Sequence, residues 1–347
     1  MVMKIDRVHF YVEDAQISRD WFVNRLGFAS VASGVDSLHT RTEVVKSGAV
    51  CFALSSPLTS LSSVAKFLSQ HPPGVADISF CVDDVEVAID RAIARGAKVL
   101  QKAPGLGKIE AWGGLTHTLV EEAGEKRAGG RGAMHCARTG GAIGFSGIDH
   151  VVLNVAAGDL DLAVAWYESM LDFQAQQSFK IQTDKSALHS QVMVSQNKLV
   201  QLPINQPASA NSQIQEFLDV NKGAGIQHIA LETPDIVKAI ARFRRCGVDF
   251  LPVPASYYTQ LLERPGLPLS AREIAEIAEQ QILVDWQETM PQALLLQTFT
   301  QPIFGEPTFF LEIIERRSQA RGFGEGNFRA LFEAIEREQL KRGSLVD

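Results

Sequence analysis

Three ionisable residues lie inside apolar, strand-like segments in the second half of this 347-residue chain: His150, His228 and Glu312. Burying an ionised side chain among apolar neighbours is costly unless the charge is paired or bound to a metal. Two imidazoles and one carboxylate make up the facial triad that holds Fe(II) and leaves positions open for a substrate and O2. Taken singly, each residue is better explained as a hydrogen-bonded core histidine or a salt-bridged carboxylate, so the metal hypothesis depends on the set.

An internal repeat provides a control for this hypothesis. Residues 74–100 can be laid over residues 225–251 without a gap, and the opening segments of the two halves also match. At the positions of His150, His228 and Glu312, the first half has Arg7, Asp77 and Glu121. An arginine has no lone pair to give a metal, because its guanidinium stays protonated. The repeated fold therefore does not demand the histidines, and a metal site is predicted in the second half alone.

The elements that must position these residues repeat in the same way. Strand-like apolar runs open the halves at 5–12 and 148–155, and amphipathic helical runs follow at 17–26 and 160–171. Each half continues with further strand-like runs and a second unit of the same kind. Duplication of this type predicts an α+β fold in which a strand, a helix and several strands occur four times.

Composition divides the chain into two domains. Residues 122–143 are rich in Gly, Ala and Arg and lack a sustained apolar period, which is typical of a linker. We therefore predict a metal-free first domain at 1–121 and a catalytic second domain at 144–347. A glycine-rich stretch precedes a terminal helix that is predicted to pack on the second half, across the mouth of a cavity. The apolar face of this helix consists of Phe328, Leu331, Phe332 and Ile335.

Composition and charge exclude several function classes. The chain is 46% hydrophobic and 21% charged, with a net charge of -7, and no basic patch for a nucleic acid or an anionic membrane stands out. No apolar run is long enough to cross a bilayer, and neither a phosphate-binding glycine motif nor a serine-centred nucleophile elbow occurs. We expect a cytoplasmic protein without nucleic-acid or membrane partners that assembles as a homo-oligomer, a dimer or a tetramer.

Several blocks of the second half occur in the order found in one enzyme family. The blocks are residues 148–151, 212–218, 223–231, 257–258, 282–285, 295–299, 310–314 and 322–328. With them, the chain from about residue 144 to residue 343 closely resembles the 4-hydroxyphenylpyruvate dioxygenases of the vicinal oxygen chelate superfamily, whose two open-barrel domains are built from tandem βαβββ modules. The first half more weakly resembles the metal-free amino-terminal domain of that family.

The resemblance implies roles for individual residues. It implies that His150, His228 and Glu312 bind Fe(II), and that a polar network around the substrate consists of Ser190, Asn205, Gln213, Gln227 and Gln297. It implies that Phe299 and Phe328 flank the aromatic ring of the substrate, with Phe310, Phe323 and Asn327 nearby.

The physical pattern agrees with these roles only in part. Gln297 and Phe299 are two residues apart and share one face of a strand. Gln227 precedes His228 directly, so strict alternation points it to the opposite face. Either a bulge or a twist re-aims Gln227, or it acts from behind the residues that touch the substrate. Asp172 stands where a glycine is common in the family, and we expect this departure to affect loop geometry rather than chemistry.

The activity that the resemblance implies is conversion of 4-hydroxyphenylpyruvate and O2 to homogentisate and CO2, by oxidative decarboxylation, ring hydroxylation and side-chain migration. The α-keto acid of the substrate would itself chelate the iron, so no 2-oxoglutarate is expected. The nearest competing function is that of 4-hydroxymandelate synthase, which has a smaller aliphatic residue at the position of Phe328. An extradiol ring-cleaving dioxygenase and a non-enzymatic ligand-binding protein of the same superfamily are more distant candidates.

Overall fold

The computed structural model of the chain describes residues 2–36, 38–121, 144–183, 185–287 and 289–343, except for the side chains at 36, 325, 328, 329, 331 and 332. The predicted linker at 122–143 lies outside these residues. The division into domains at 1–121 and 144–347 therefore stays a prediction. None of the described helices combines the length and the apolar character that a membrane span needs.

The first half consists of eight strands and the helices between them. The strands are β1 (Met3–Tyr11), β2 (Ala29–Asp36), β3 (Thr40–Ser47), β4 (Val50–Pro57), β5 (Gly74–Val82), β6 (Val99–Ala103), β7 (Leu106–Glu110) and β8 (Thr116–Glu121). The helices are α1 (Ala15–Trp21), which continues as a π-helical turn (Phe22–Leu26), α2 (Ser63–Leu68) and α3 (Val85–Ala94).

The second half repeats this order and adds helices before and after its last strands. The strands are β9 (Gly147–Asn154), β10 (Gln174–Gln182), β11 (Ala187–Val194), β12 (Gln201–Pro207), β13 (Gly225–Glu232), β14 (Leu283–Gln287), β15 (Met290–Phe299) and β16 (Phe310–Arg316). The helices are α4 (Leu160–Leu171), α5 (Gln213–Asn221), α6 (Ile236–Arg245), α7 (Ala255–Glu263), α8 (Ala271–Glu279) and α9 (Glu325–Arg342).

The strands of each half form one open mixed sheet. The strand order is β2-β3-β4-β1-β5-β8-β7-β6 in the first half and β10-β11-β12-β9-β13-β16-β15-β14 in the second. Each sheet therefore contains two modules, joined by antiparallel pairing of their first strands, β1 with β5 and β9 with β13. This confirms the predicted α+β fold of tandem βαβββ modules. It also brings β9, β13 and β16, which carry the three candidate ligands, side by side.

The repeated aspartates of the second modules begin the crossover helices. Asp84 accepts a hydrogen bond from the backbone N–H of Val87 at 2.9 Å, and Asp235 accepts one from that of Lys238 at 3.0 Å. An N-cap of this kind satisfies a backbone donor that has no partner within the helix. The helices α3 and α6 therefore start at equivalent places, and each covers one face of its sheet.

Strand pairing corrects one position in the comparison of the halves. Ala230 pairs with both His150 and Glu312, while Ser79 pairs with Arg7 and Thr118. Because Ser79 and Ala230 are equivalent in the repeat, the counterpart of Glu312 is Thr118, and the prediction of Glu121 is wrong. The last strands of the halves share no visible sequence pattern, so their register is determined only by pairing with β5 and β13.

Two β-bulges interrupt the central strand pair of each sheet. The register between β9 and β13 leaves Asp149 and Gln227 as extra residues. The pair of β1 and β5 has its extra residues at the matching places, Asp6 and Ala76. A bulge re-aims the neighbouring side chains. Of the alternatives left open for Gln227, the register shows a bulge, and the bulge is a property of the repeated module.

One continuous cluster of buried apolar side chains extends through both halves. Phe10 of the first half packs edge-on against Phe309 of the second, with ring centroids 5.1 Å apart. The buried imidazole of His117 donates from Nδ1 to Ile78 O at 3.3 Å, and its Nε2 accepts from the Tyr167 hydroxyl at 3.1 Å. Because apolar burial is the dominant favourable term in folding, this cluster holds the two sheets together.

Candidate metal centre

His150, His228 and Glu312 come together in the middle of the second sheet. Each offers one ligand atom, and these atoms all lie within 4.8 Å of one another. Glu312 Oε2 is 3.2 Å from His150 Nε2 and 3.6 Å from His228 Nε2. All three side chains are buried. Two imidazoles and one carboxylate at this separation are a donor set suited to a divalent transition metal with open positions.

Each histidine is oriented from behind by a hydrogen bond at Nδ1. His150 Nδ1 donates to Asp149 Oδ1 at 2.8 Å, and His228 Nδ1 donates to Gln227 Oε1 at 3.2 Å. With the proton used at Nδ1, the Nε2 lone pair of each ring is available for a cation beside Glu312. An outer acceptor that selects the tautomer of a ligating histidine is a regular feature of protein metal sites.

The protonation tendencies of the two histidines differ. Burial disfavours the charged imidazole of His150, but the carboxylates of Glu312 and Asp149 outweigh burial and raise the pKa of His150 to about 9. Burial and the positive charge on His150 lower the pKa of His228 well below its ordinary value. A proton on His150 thus compensates for Glu312, and a divalent cation bound by neutral imidazoles would replace that proton.

Aromatic rings pack directly on the two imidazoles. Phe310 stacks on His228 with ring centroids 4.7 Å apart and an angle of 17° between the rings. Phe323 meets His150 edge-on at 5.2 Å. These contacts hold the imidazole planes and give the site an apolar surrounding, which excludes water and strengthens electrostatic interactions.

The three residues lie in the wall of a cavity of about 670 Å³, part of which is open to solvent. The polar residues predicted around the substrate also line this cavity: Ser190, Asn205, Gln213, Gln227 and Gln297. Three of the predicted aromatic residues do so as well: Phe299, Phe310 and Phe323. The structure therefore brings together most of the predicted site residues, from seven different elements and the segment before α9.

Two buried amides of the cavity wall have unsatisfied oxygens. Gln213 Oε1 and Gln297 Oε1 have no hydrogen-bond partner among the described residues. A buried polar atom without a partner costs about 1–3 kcal/mol. Both amides are therefore suited to accept a hydrogen bond from a ligand in the cavity.

Two predicted substrate contacts, Asn327 and Phe328, are not among the described residues that line this cavity. Asn327 is fully buried at the start of α9, where its Oδ1 accepts a hydrogen bond from the Tyr257 hydroxyl at 2.8 Å. Its position supports the beginning of α9. Phe328 follows on the same helix, but its side chain lies outside the described residues.

Sequence reasoning missed the apolar part of the wall and two charged residues behind it. The missed apolar residues are Val152, Phe179, Ile181, Leu188, Val192, Pro203 and Ile214, whereas Ile335 belongs to the predicted apolar face of the terminal helix. Alternation could have found Leu188 and Val192, which flank Ser190 on the same face of β11. Asp149 and Arg316 form an ion pair behind His150, with Arg316 Nε 2.5 Å from Asp149 Oδ2.

Family models match both halves of the chain. The model described as hydroxyphenylpyruvate dioxygenase, HPPD, N-terminal, matches residues 2–120. The model of the glyoxalase/bleomycin resistance protein/dioxygenase superfamily matches residues 149–260.

Curated proteins and solved structures resemble the chain over almost its whole length. The 4-hydroxyphenylpyruvate dioxygenase of Dictyostelium discoideum is 38% identical, covering 98% of this chain and 99% of that protein. The Aspergillus fumigatus enzyme of the same name is 36% identical, covering 98% and 94%. A solved triple mutant of 4-hydroxymandelate synthase from Streptomyces coelicolor has a TM-score of 0.83 and 28% identity, covering 97% of this chain and 98% of its own.

Proposed function

The chain belongs to the 4-hydroxyphenylpyruvate dioxygenase family, and from that premise we propose that it converts 4-hydroxyphenylpyruvate and O2 to homogentisate and CO2 at an Fe(II) centre. The observation that carries the proposal is the convergence of His150, His228 and Glu312 in the wall of an aromatic cavity. The matching positions of the first sheet hold no such donor set, which limits the proposed centre to the second half.

The donor chemistry fits Fe(II). Two imidazole nitrogens and one carboxylate oxygen are the facial triad that leaves positions open on an iron ion. His150, His228 and Glu312 are the proposed ligands, and Asp149 and Gln227 orient the two rings. Bound Fe(II) would supply the activation of O2 and the oxidative decarboxylation of the α-keto acid.

The polar side chains of the cavity would orient the substrate. Ser190 and Asn205 face each other on paired strands, and Gln213 opens the adjacent helix. The phenolic hydroxyl of the substrate has one proton to donate, and the free oxygen of Gln213 or of Gln297 can accept it. A hydroxyl that satisfies a buried acceptor favours 4-hydroxyphenylpyruvate over phenylpyruvate, because the latter would leave the acceptor unpaired.

The aromatic residues would hold the ring and keep water out. Phe299 and Phe310 pack at 78° to one another with centroids 6.2 Å apart, and Phe323 closes the side next to His150. Offset and edge-on packing of this kind is favourable for a further aromatic ring. We propose that Phe299 and Phe328 flank the substrate ring, and that Asn327 acts by fixing the start of α9.

The second candidate is 4-hydroxymandelate synthesis, which the structural similarity to the Streptomyces coelicolor synthase makes relevant. The two activities share substrate and metal and differ in the carbon that is hydroxylated. The phenylalanine at position 328 favours ring attack, because the resemblance to the family implies a smaller aliphatic residue at this position in a synthase.

Product analysis tests the proposal. The apoprotein would be loaded with Fe(II) without oxygen and then mixed with 4-hydroxyphenylpyruvate and O2. We expect homogentisate and CO2 in equal amounts, and no product after loading with Zn(II) or with the His228→Ala variant. Hydroxymandelate without homogentisate would establish the second candidate. Cleavage of a catechol would indicate an extradiol enzyme, and tight ligand binding without iron or turnover would indicate a binding protein.

Assembly and location are further proposals. We propose a homo-oligomer, a dimer or a tetramer, and light scattering on the eluting peak of a sizing column measures its mass. We also propose a cytoplasmic location, which fractionation of the source cells with an antibody to the chain checks. A monomer, or a chain found in another compartment, would overturn the respective proposal without touching the catalytic one.

A further inference from the structure

Arg316 makes a two-pronged ion pair with Asp149 behind the proposed metal centre. Its Nε donates to Asp149 Oδ2 at 2.5 Å and its Nη2 donates to Asp149 Oδ1 at 2.8 Å. The two side chains are only 13% and 7% exposed, so this is a buried pair rather than a surface contact. Removing one partner of such a pair leaves an uncompensated buried charge and is strongly destabilising.

Asp149 passes this interaction on to His150. Its Oδ1 also accepts the Nδ1 proton of His150, and the bulge at Asp149 allows these two neighbouring side chains to meet. Burial opposes ionisation of Asp149, but Arg316 and His150 hold its pKa well below the ordinary range. The orientation of a ligating imidazole therefore depends on where Arg316 holds the carboxylate.

The remaining guanidinium nitrogen of Arg316, Nη1, holds the segment between β16 and α9. This atom donates to Ala320 O at 3.1 Å and to Gly322 O at 2.9 Å. The next residue is Phe323, the ring that packs against His150. One guanidinium thus holds the Nδ1 side of His150, through Asp149, and also holds the segment whose Phe323 packs against the same imidazole ring.

Only an arginine can make this set of contacts. The planar guanidinium has five donors in a fixed fork, whereas a lysine ammonium has three donors at one point. The neighbouring Arg317 is a natural control, because its hydrogen bonds go to residues outside this network. Its Nε donates to Glu315 at 2.7 Å and its Nη1 donates to Glu273 at 3.3 Å.

We propose that Arg316 is a positioning residue that couples metal binding by His150 to the order of segment 320–324. Through Asp149 it holds the imidazole with Nε2 facing Glu312, and through two carbonyl groups it holds Phe323 against the same ring. The inference rests on the proposed metal site. Because coupling free energies are reciprocal, metal binding must stabilise the segment by the same factor by which the ordered segment raises metal affinity.

The test compares Arg316→Met with Arg317→Met in the full-length protein. Affinity for Co(II) is followed anaerobically by visible absorbance, and hydrogen exchange of segment 320–324 is measured with and without the metal. In the wild type and in Arg317→Met, we expect metal to slow exchange of the segment. In Arg316→Met we expect metal affinity to fall about 10–100-fold and the metal to leave exchange of the segment unchanged. Arg316→Lys restores the charge without the fork, so we expect partial rescue of affinity only.

Asp149→Asn provides the second variant if Arg316→Met does not fold. It keeps the shape of the side chain but removes the carboxylate, and it should show the same loss of affinity and of coupling. Wild-type affinity together with metal-dependent exchange in a folded Arg316→Met or Asp149→Asn protein would overturn the inference while leaving the proposed function intact. A wild type that binds neither Co(II) nor Fe(II) would overturn both.

Discussion

The two sheets have the same strand order and the same pair of bulges, yet their central positions carry different chemistry. In the second sheet, two imidazoles and a carboxylate face one another, and the Nδ1 atoms of the two imidazoles are held from behind. In the first sheet, the charged residues at the matching positions, Arg7 and Asp77, are each satisfied by neighbouring side chains. There Arg7 donates to Asp6 at 2.7 Å, and Asp77 accepts from Thr116 at 2.6 Å and from Thr118 at 2.9 Å, with Lys108 Nζ 3.6 Å away.

The comparison separates what the fold supplies from what the residues supply. The bulges at Asp6 and Asp149 lie at equivalent places, so the module itself turns the next side chain, Arg7 or His150, toward the centre of the sheet. The fold determines the direction in which the side chain points, and the residue type determines whether a metal can bind there. Burial raises the pKa of Asp77, while Lys108 and the two threonines act against it, which is the balance of a closed polar cluster.

The largest expected effect is the difference between matched alanine variants of the two halves. We expect His228→Ala to lower metal affinity by at least about 100-fold and to abolish turnover, because one of three ligands is lost. Asp77→Ala should leave metal content and turnover unchanged, and should cost about 1–3 kcal/mol of stability because Lys108 loses its partner. Metal analysis, turnover and urea unfolding of both variants check this. Loss of metal in Asp77→Ala would contradict a silent first half.

The converse experiment builds the donor set into the first sheet. The variant carries Arg7→His, Asp77→His and Thr118→Glu, together with Lys108→Phe, because Lys108 stands where the second sheet has Phe299. Since Asp6 can act as Asp149 does, we expect the bound metal to rise from about one to about two per chain, the second being weaker. Equilibrium dialysis against Co(II) measures this. A folded variant that still binds one metal would show that the central positions of the two sheets differ in more than side-chain type.

Much of the metal centre could be predicted from the sequence because its members are unusual where they stand. An ionisable residue within an apolar strand is visible without a structure, and the repeat showed that His228 is replaced by Asp77. The sequence leaves Gln227 open between a bulge or twist and a role behind the ligands, and the strand register shows the bulge. The register of β8 could not be predicted, because the last strand of each half has no shared pattern, and Thr118 took the place assigned to Glu121.

The charged pair behind His150 could not be predicted from the sequence, for a different reason. Asp149 and Arg316 are 167 residues apart, and each alone is an ordinary charged residue near a strand end. Only the neighbouring positions of β9, β13 and β16 bring them together. The apolar cavity wall was hidden for the same reason, since Phe179 and Ile181 on β10 alternate like the residues of any half-buried strand.

An effect of intermediate size is expected at the interface between the halves, where His117 makes the stability of the protein depend on pH. Burial lowers the pKa of His117 to about 4 from an unfolded value near 6.5, and the same strand position in the second half is Leu311. The unfolded chain therefore binds more protons between these values, and stability is lost as the pH falls from about 6.5 toward 4. The loss for this residue is on the order of 3 kcal/mol.

His117→Gln isolates this contribution. Glutamine can still accept from the Tyr167 hydroxyl but does not titrate, so we expect urea unfolding of the variant to lose less stability over the same pH range. The free energy of unfolding of the wild type, relative to that of the variant, should fall as the pH is lowered from about 6.5 and should level off below pH 4. A constant difference from pH 7 to pH 4 would show that the pKa of His117 is the same in the folded and the unfolded state.

The smallest expected effect concerns the two equivalent helix ends. The helix before Phe28 ends at Gly27 and α4 ends at Asp172, both in the left-handed region with φ of 76° and 55°. The repeated arginines face these residues, Arg242 at Gly27 and Arg91 at Asp172, where the carboxylate lies 2.6 Å from both Arg91 and Arg95. Asp172 thus accepts a strain of about 1–2 kcal/mol that Gly27 avoids, and gains two partly exposed ion pairs worth up to about 1 kcal/mol each.

Asp172→Gly would make the second helix end like the first. Because relief of strain and loss of the ion pairs nearly cancel, we expect the free energy of unfolding to change by less than about 1 kcal/mol at low salt. In about 1 M salt the ion pairs are screened while the strain remains, so the variant should become the more stable protein there. Urea unfolding at both salt concentrations measures the two terms separately. If the difference between wild type and variant does not respond to salt, the carboxylate is not held by charge, and the departure from glycine at this position needs another cause.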